Sequence, residues 1–160
     1  MSKEYWEKIG KEKLSPSWQM VGSESFYFRY CEKLFENKII PLLTDLENKK
    51  IIEVGCGKGK WSIFFAKQKA KVLATDVSRN MLDKCQKNIK YQNIKNIKIR
   101  LLNISEDYPK EKFDILFTST VLQHICNEKD FQSSIKNISR SLKQNGKAII
   151  VETAPHKFLS

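Results

Sequence analysis

The sequence predicts an alternating α/β protein, a parallel sheet covered by helices, on three observations. Short runs rich in Ile and Val alternate with longer stretches of helical period, the pattern of strands joined by crossover helices. The first run opens into glycines on alternate positions, and the second ends in a carboxylate. At 160 residues, 41% of them hydrophobic, the chain has the length of one domain and enough apolar side chain for a core.

Taken in order, residues 1–24 carry Trp6 and Trp18 in a polar setting. Ser25 to Leu43 reads as a helix, with Phe26, Tyr30 and Leu34 on one stripe and Pro41 near its end. Strands are expected at Lys50 to Val54, Lys71 to Thr75, Ile97 to Leu102, Phe113 to Thr118 and Lys147 to Glu152. Helices near Lys60 to Gln68, Asn80 to Tyr91 and Asp130 to Lys143 join them. In the last helix Phe131, Ile135, Ile138 and Leu142 fall four, three and four apart, which puts them on one face. Asn145-Gly146 then offers a left-handed stop before the final strand.

The formal charge of +11 first suggests an anionic partner such as nucleic acid or a lipid surface. Its distribution argues otherwise. Residues 51–100 hold twelve basic and three acidic side chains, and the flanking thirds are nearly balanced. Lys84, Lys87, Lys90, Lys95, Lys98 and Arg100 fall on the second of those helices and the start of the third strand, mostly away from the strands' carboxyl ends. They read as solvated surface, so nucleic acid is a possible partner but not the favoured one. Cys31, Cys56, Cys85 and Cys126 form no C-x-x-C pair and have no His at ligand spacing, so neither a metal site nor a disulfide framework is expected. The first residues lack a signal-peptide pattern, and no run approaches a membrane span of about 18 apolar residues. The expectation is a cytoplasmic protein with reduced thiols and no membrane partner.

The chemistry is carried by Ile51-Ile52-Glu53-Val54-Gly55-Cys56-Gly57-Lys58-Gly59. Glycines after a strand let a ligand approach the backbone and allow positive φ in a tight turn, and the following helix offers free N–H groups. Asp76 ends the second strand 21 residues beyond Gly55, where a carboxylate can accept both hydroxyls of an adenosine ribose. The spacing is G-x-G-x-G with an acid two residues earlier, and no G-x-x-x-x-G-K-[ST] loop occurs, which excludes a triphosphate P-loop. Two carboxylates suit a cationic adenosine cofactor better than a pyrophosphate.

From Lys50 to Glu152 the chain resembles the class I S-adenosylmethionine-dependent methyltransferases, whose sheet is Rossmann-like. The glycine stretch looks like that family's first motif. Asp76-Val77-Ser78-Arg79-Asn80-Met81-Leu82 is similar to its D-x-S-x-x-M-L continuation, and Phe113 to Ile125 resembles its F-D-x-V…V-L-x-H-I pattern. Leu142 to Lys147 looks like the L-K-P-G-G turn, with Pro and the second Gly replaced. The resemblance implies S-adenosylmethionine as cofactor. Glu53, Gly55, Cys56, Gly57 and Gly59 would surround its methionyl part, Asp76 its ribose, and Val77 with Met81 the adenine faces. Asn103 and Ile104 stand where the family usually has Asp-Ala against the adenine edge, and Thr118 and Val121 would lie beside the methionyl chain. Cys56 reads as a small residue that fits the loop, not a nucleophile. The division implied is an N-terminal helical lid or substrate segment over residues 1–45 and a cofactor-binding core over 46–160, together one structural domain.

Transfer from a sulfonium is a direct displacement that needs alignment and exclusion of water, and a base only for some acceptors. His124 after the fourth strand is the candidate base, with a pocket-shaping role as the alternative. Phe28 and His156 are candidate substrate residues, and Trp6 with Trp18 could cover the cofactor or simply pack. Thr118-Ser119-Thr120-Val121 lacks the N-P-P-Y or D-P-P-Y of enzymes that methylate amino groups of bases, which favours a small-molecule acceptor. An RNA or protein methyltransferase and an inactive cofactor-binding domain are the alternatives. The family's sheet normally continues beyond the fifth strand with an antiparallel pair. Here that strand is expected as a bare edge, left by truncation of a longer protein, covered by the N-terminal segment, or paired with a second subunit.

Overall fold

The computed structural model describes residues 3–11, 33–34 and 36–152. Five strands form one parallel sheet: β1 (Lys50–Val54), β2 (Lys71–Asp76), β3 (Ile97–Leu101), β4 (Phe113–Ser119) and β5 (Leu142–Val151). Their spatial order is β3-β2-β1-β4-β5. Helix α1 (Lys3–Lys11) precedes them; α2 (Lys60–Lys67), α3 (Arg79–Tyr91) and α4 (Glu128–Ser141) join β1 to β2, β2 to β3 and β4 to β5. Because β1 to β3 run outward on one side and β4 to β5 on the other, the order reverses between β1 and β4. A crevice at the carboxyl ends of those two strands is where open α/β sheets bind ligands.

Apolar side chains of the central strands alternate between two faces. Ile51, Val72, Ile115 and Phe117 pack with Trp61, Phe65 and Ala66 of α2 and with Ile39, Leu43 and Leu46. Ile52, Val54, Leu73 and Leu116 pack on the other face with Ile138 of α4 and with Leu102, Ile104 and Leu122. The central strands are buried on both faces, which is why β1 reads as a near-continuous apolar run. Asp114 ties the amino ends together, accepting from the Lys50 amide and the Lys143 ammonium, both at 2.8 Å. Those two partners hold its carboxyl below the ordinary range even though burial opposes them.

The expected strands and helices α2 and α3 are all present, with ends shifted by one residue or none, apart from β5. Helix α4 begins two residues before its expected start, because Asn127 caps it by accepting from the Asp130 amide at 3.1 Å. Phe131, Ile138 and Leu142 pack on the core as expected, but the inner face is also partly polar. Ile138 is buried, but Ile135 is 38% exposed, and Ser134, Asn137 and Ser141 occupy the inner face. They fit there because each hydroxyl or amide is satisfied: Ser134 donates to the Asp130 carbonyl, Ser141 to that of Asn137, and Asn137 to that of Ile104. The helix stops at Ser141, before Asn145-Gly146. Asn145 does take the left-handed φ of 65°, but inside β5, where pairing with β4 slips between Phe113 and Ile115. Gly146 does not need positive φ there. A Cβ on it would stand 2.9 Å from the Phe113 carbonyl oxygen.

Of the helix expected from Ser25 to Leu43, residues 25–32 and 35 lie outside the described residues, Phe26 and Tyr30 among them. Residues 36–39 are helical and run into a 3₁₀ turn at Ile40–Leu42 that contains Pro41. Helix α1 lies in the N-terminal segment expected to be helical, although no helix is placed over these residues from the sequence. It packs on α3. The outer edge of β5 has no strand partner among the described residues, and Ile150 is 44% exposed. Lys87, Lys90, Lys95, Lys98 and Arg100 are exposed and Lys84 half-buried, as a solvated surface requires. No described helix is long and apolar enough to cross a membrane, and among the described residues no cluster of His, Cys, Asp and Glu could hold a metal.

Candidate functional site

The loop after β1 is shaped by three glycines with left-handed φ, Gly55 at 73°, Gly57 at 52° and Gly59 at 83°. Two of them are also forced by close packing. A Cβ at Gly55 would lie 2.2 Å from a methyl of Val121, and one at Gly59 would lie 2.5 Å from the Cys85 sulfur. At Gly57 the same atom would meet nothing within 4 Å, so that side of the loop is open. The loop therefore leans on the turn after β4 and on α3, and presents backbone to the crevice between them.

Asp76, at the carboxyl end of β2, lies beside that open backbone. One oxygen accepts from the Gly57 amide and the other from the Ser78 amide, each at 2.9 Å. Burial raises the Asp76 carboxyl above its ordinary range, and these amides oppose the rise. Ser78 caps α3, its hydroxyl accepting from the Met81 amide at 3.2 Å. Met81 is buried behind the turn and Val77 is half-buried in it.

Glu53 ends β1 nearly covered, its carboxylate accepting from the Ser62 hydroxyl of α2. Burial pushes its carboxyl up to about 8, with the charge of Asp76 adding to the rise. Such a group is protonated until a cation arrives to hold it ionised. Thr118, next to β1 on β4, is fully buried and its hydroxyl has no hydrogen-bond partner among the described residues. Val121 meets Gly55, as noted. Cys56 is buried in the loop. Its hydrogen bond with Cys85, together with burial, pushes the thiol well up, which agrees with a filling role and not a nucleophile.

Past Thr120, whose φ of 56° is unusual for a β-branched residue, a 3₁₀ turn runs over Leu122–His124. Glu152, just beyond β5, holds this turn. Its carboxylate accepts from the amides of Val121 at 3.1 Å, Leu122 at 2.9 Å and Gln123 at 3.3 Å. His124 is half-buried, burial lowers its pKa, and its ring lies 5.1 Å from that of Trp6 on α1. Trp6 therefore reaches the crevice wall and does not pack only within the N-terminal segment.

Asn103 stands in the turn that follows β3. Its side-chain oxygen accepts from both the amide and the hydroxyl of Ser105, at 3.2 and 2.9 Å, so the acceptor foreseen for an adenine amino group is engaged locally. The physical reason is that Asn readily closes a turn onto the residue two positions on. Ile104 is buried in the core beneath it. Phe28, His156 and Trp18 lie outside the described residues. Ser62, Glu152 and Glu7 were not anticipated; only Glu152, at the carboxyl end of a strand, stood where a signal could have been read.

An adenosine sulfonium fits this set of groups. The open backbone at Gly57 leaves room for it, and Asp76 is held at the loop. Glu53 can balance a positive charge, and the orphaned hydroxyl of Thr118 lacks a partner. Comparison with known proteins agrees with that chemistry. Residues 51–146 match the methyltransferase-domain family. The demethylmenaquinone methyltransferase of Lactococcus lactis subsp. lactis is 28% identical over 125 residues, 76% of this chain and 48% of that protein. (S)-coclaurine N-methyltransferase of Papaver somniferum is 28% identical over 116 residues, 71% of this chain and 32% of its own. The chain spans about half the length, or less, of these curated relatives. Among solved structures, Haemonchus contortus phosphoethanolamine N-methyltransferase 1, in complex with phosphoethanolamine and S-adenosylhomocysteine, superposes with a TM-score of 0.78. Its identity is 21%, over 96% of this chain and 32% of that one. The DhpI-SAM-HEP complex gives 0.73 at 15% identity, over 96% and 65%. At such identities these structures speak for the fold. The family match over most of the sheet, on a site of this composition, makes the chain a member of the class I S-adenosylmethionine-dependent methyltransferases.

Proposed function

We propose that this chain is the cofactor-binding core of an enzyme that transfers a methyl group from S-adenosylmethionine to a small-molecule acceptor by direct displacement. The observation that carries the reading is the position of Asp76, fixed by the Gly57 and Ser78 amides at the mouth of the switch-point crevice. When bound, S-adenosylmethionine supplies a methyl group on a positively charged sulfur. The chain's own residues bind and orient. Asp76 takes the ribose hydroxyls, Val77 and Met81 flank the adenine, and the Gly55 to Gly59 backbone with Thr118 and Val121 surrounds the methionyl part. Glu53 gives up its proton to balance the added positive charge. Asn103 serves the adenine only by releasing one of its two contacts with Ser105.

Alignment and exclusion of water then account for catalysis, and the chain needs no nucleophile of its own. The N-terminal segment is part of this reading as a cover for the crevice. His124, with its pKa lowered toward the neutral imidazole, shapes the acceptor side and is available as a base. The small-molecule acceptor is supported by relatives named as methyltransferases of demethylmenaquinone and of (S)-coclaurine, and by the lack of a base-methylation tetrapeptide after β4. A further polypeptide segment or a second subunit would pair the free edge of β5. The same reading puts the protein in the cytoplasm, where its cysteines stay reduced.

Calorimetry with S-adenosylmethionine and S-adenosylhomocysteine tests the proposal. Both should bind at one site, and Asp76→Ala should weaken binding by about a hundredfold, the scale of losing two charge-assisted hydrogen bonds. No binding of either ligand ends the reading. Affinity for RNA that falls steeply with salt would favour the nucleic-acid alternative. Cofactor binding without turnover on any acceptor would favour the inactive-domain alternative.

A further inference from the structure

Helix α3 begins with a deficit. Its first turn contains no acidic residue, and it carries Arg79 at the end where the helix dipole disfavours a cation. The missing negative charge comes from 72 residues upstream. The Glu7 carboxylate on α1 accepts from the Arg79 amide at 2.8 Å, the Asn80 amide at 3.4 Å, the Ser78 hydroxyl at 3.2 Å and the Asn80 side-chain amide at 2.6 Å. The Asn80 side chain also donates to the Glu7 carbonyl at 3.0 Å, so backbone and side chain of α1 are both engaged. Burial works against the charge of Glu7, but these donors outweigh it and hold the carboxyl below its ordinary range.

Ser78 links this contact to the site. Its hydroxyl donates to Glu7, and its amide donates to Asp76, which in turn accepts from Gly57. A continuous polar chain thus runs from α1 through the turn after β2 to the glycine loop. The residue before Glu7 points to the opposite wall, where Trp6 packs on His124. Successive residues of one short helix therefore touch the two sides of the crevice, and neither contact belongs to the sheet.

We propose that Glu7 is a positioning residue for the ribose turn, and that docking of α1 and binding of the cofactor at Asp76 favour one another. The proposal rests on the cofactor reading above and adds a residue and a coupling to it. Glu7 touches neither cofactor nor acceptor in this scheme. It acts by neutralising the amino end of α3 and fixing Ser78, so that Asp76 keeps its orientation without competing for a second donor.

The test uses the whole chain and S-adenosylhomocysteine as probe, with Glu7→Ala, Glu7→Gln and the wild type. Hydrogen exchange of the Arg79 and Asn80 amides should quicken in Glu7→Ala without ligand, which reports the contact itself. Stopped-flow binding should then show a dissociation rate raised about tenfold, the scale of a lost charged cap, with association rate and stoichiometry unchanged. Glu7→Gln, which keeps an acceptor oxygen but no charge, should fall between. A variant that is merely misfolded would lower the stoichiometry instead, and that result overturns the proposal. So does a dissociation rate within twofold of wild type in Glu7→Ala, or unchanged exchange at Arg79 and Asn80. If the wild type binds no S-adenosylhomocysteine, the cofactor reading fails and the coupling with it. If the wild type binds and the Glu7 variants match it, the positioning role alone is rejected.

Discussion

The two walls of the crevice are built alike and finished differently. Each is a short segment after a central strand whose amides point out of the fold, and each is capped by a carboxylate from elsewhere. Glu7 caps the start of α3 on the β2 side, and Glu152 caps Val121 to Gln123 on the β4 side. On the β2 side every hydrogen-bonding group named above has a partner, and Asp76 is anchored from two directions. The β4 side carries a strained Thr120 and a buried Thr118 hydroxyl with no partner among the described residues. The β2 wall is therefore pre-organised by the chain, while the β4 wall keeps strain and a buried hydroxyl that a ligand could satisfy. Strain and unsatisfied groups concentrate where a ligand can relieve them.

The sharpest way to break this comparison is at the glycines that join the walls. Gly55→Ala should cost about 2–3 kcal/mol of stability, because the new methyl both meets Val121 and demands positive φ. Gly57→Ala, with open space around it, should cost only about 1 kcal/mol yet remove S-adenosylhomocysteine binding. Thermal unfolding beside calorimetry separates the two. Equal stability losses would mean that the Val121 contact does not set the loop.

Glu53 lies on the floor between the walls and should show its burial through pH. Its carboxyl ionises near 4.5 when unfolded but only near 8 when folded. Between those values the folded state holds the extra proton, so this group makes stability fall as pH rises. Glu53→Gln should unfold at a higher temperature than wild type at pH 7 to 8, and the difference should vanish toward pH 4. A constant difference across that range would show that Glu53 is ionised in the folded protein.

Glu152→Ala should cost about 1–2 kcal/mol, as the loss of a cap over three amides, and should loosen the Trp6 contact by freeing His124. Tryptophan emission and urea unfolding would register both. Thr118→Val is the mildest change. Replacing an unpaired buried hydroxyl by a methyl should leave stability unchanged or raise it by up to about 1 kcal/mol, with a small loss of S-adenosylhomocysteine affinity. Clear destabilisation would mean that the hydroxyl already has a partner.

Much of this molecule was legible in its residues. Strands β1 to β4 and helices α2 and α3 are local patterns of apolar period and caps. The left-handed turn of the glycine loop and the acid at the end of β2 are likewise local, and the structure joins them through the Gly57 amide. In helix α4 the apolar stripe places Phe131, Ile138 and Leu142 on the core, but it does not reveal that polar residues are buried beside them while Ile135 stays exposed. Ser134, Asn137 and Ser141 satisfy their own polar groups and take the inner side. Asn103 was legible as a position but not as a hydrogen bond, since its oxygen can turn to Ser105 as easily as to a ligand.

What stayed hidden was every interaction between a charged side chain and a distant backbone end. Glu7 looks like an ordinary surface acid in the chain, and Glu152 shows only that it stands at a strand's carboxyl end. Periodicity and spacing are short-range properties, and they specify strands, helices and the loop between them. Which amides lie bare at the mouth of the crevice, and which carboxylates come to cover them, depends on the strand order that sets β4 beside β1 and on the docking of α1 on α3. That docking brings together residues up to 73 positions apart.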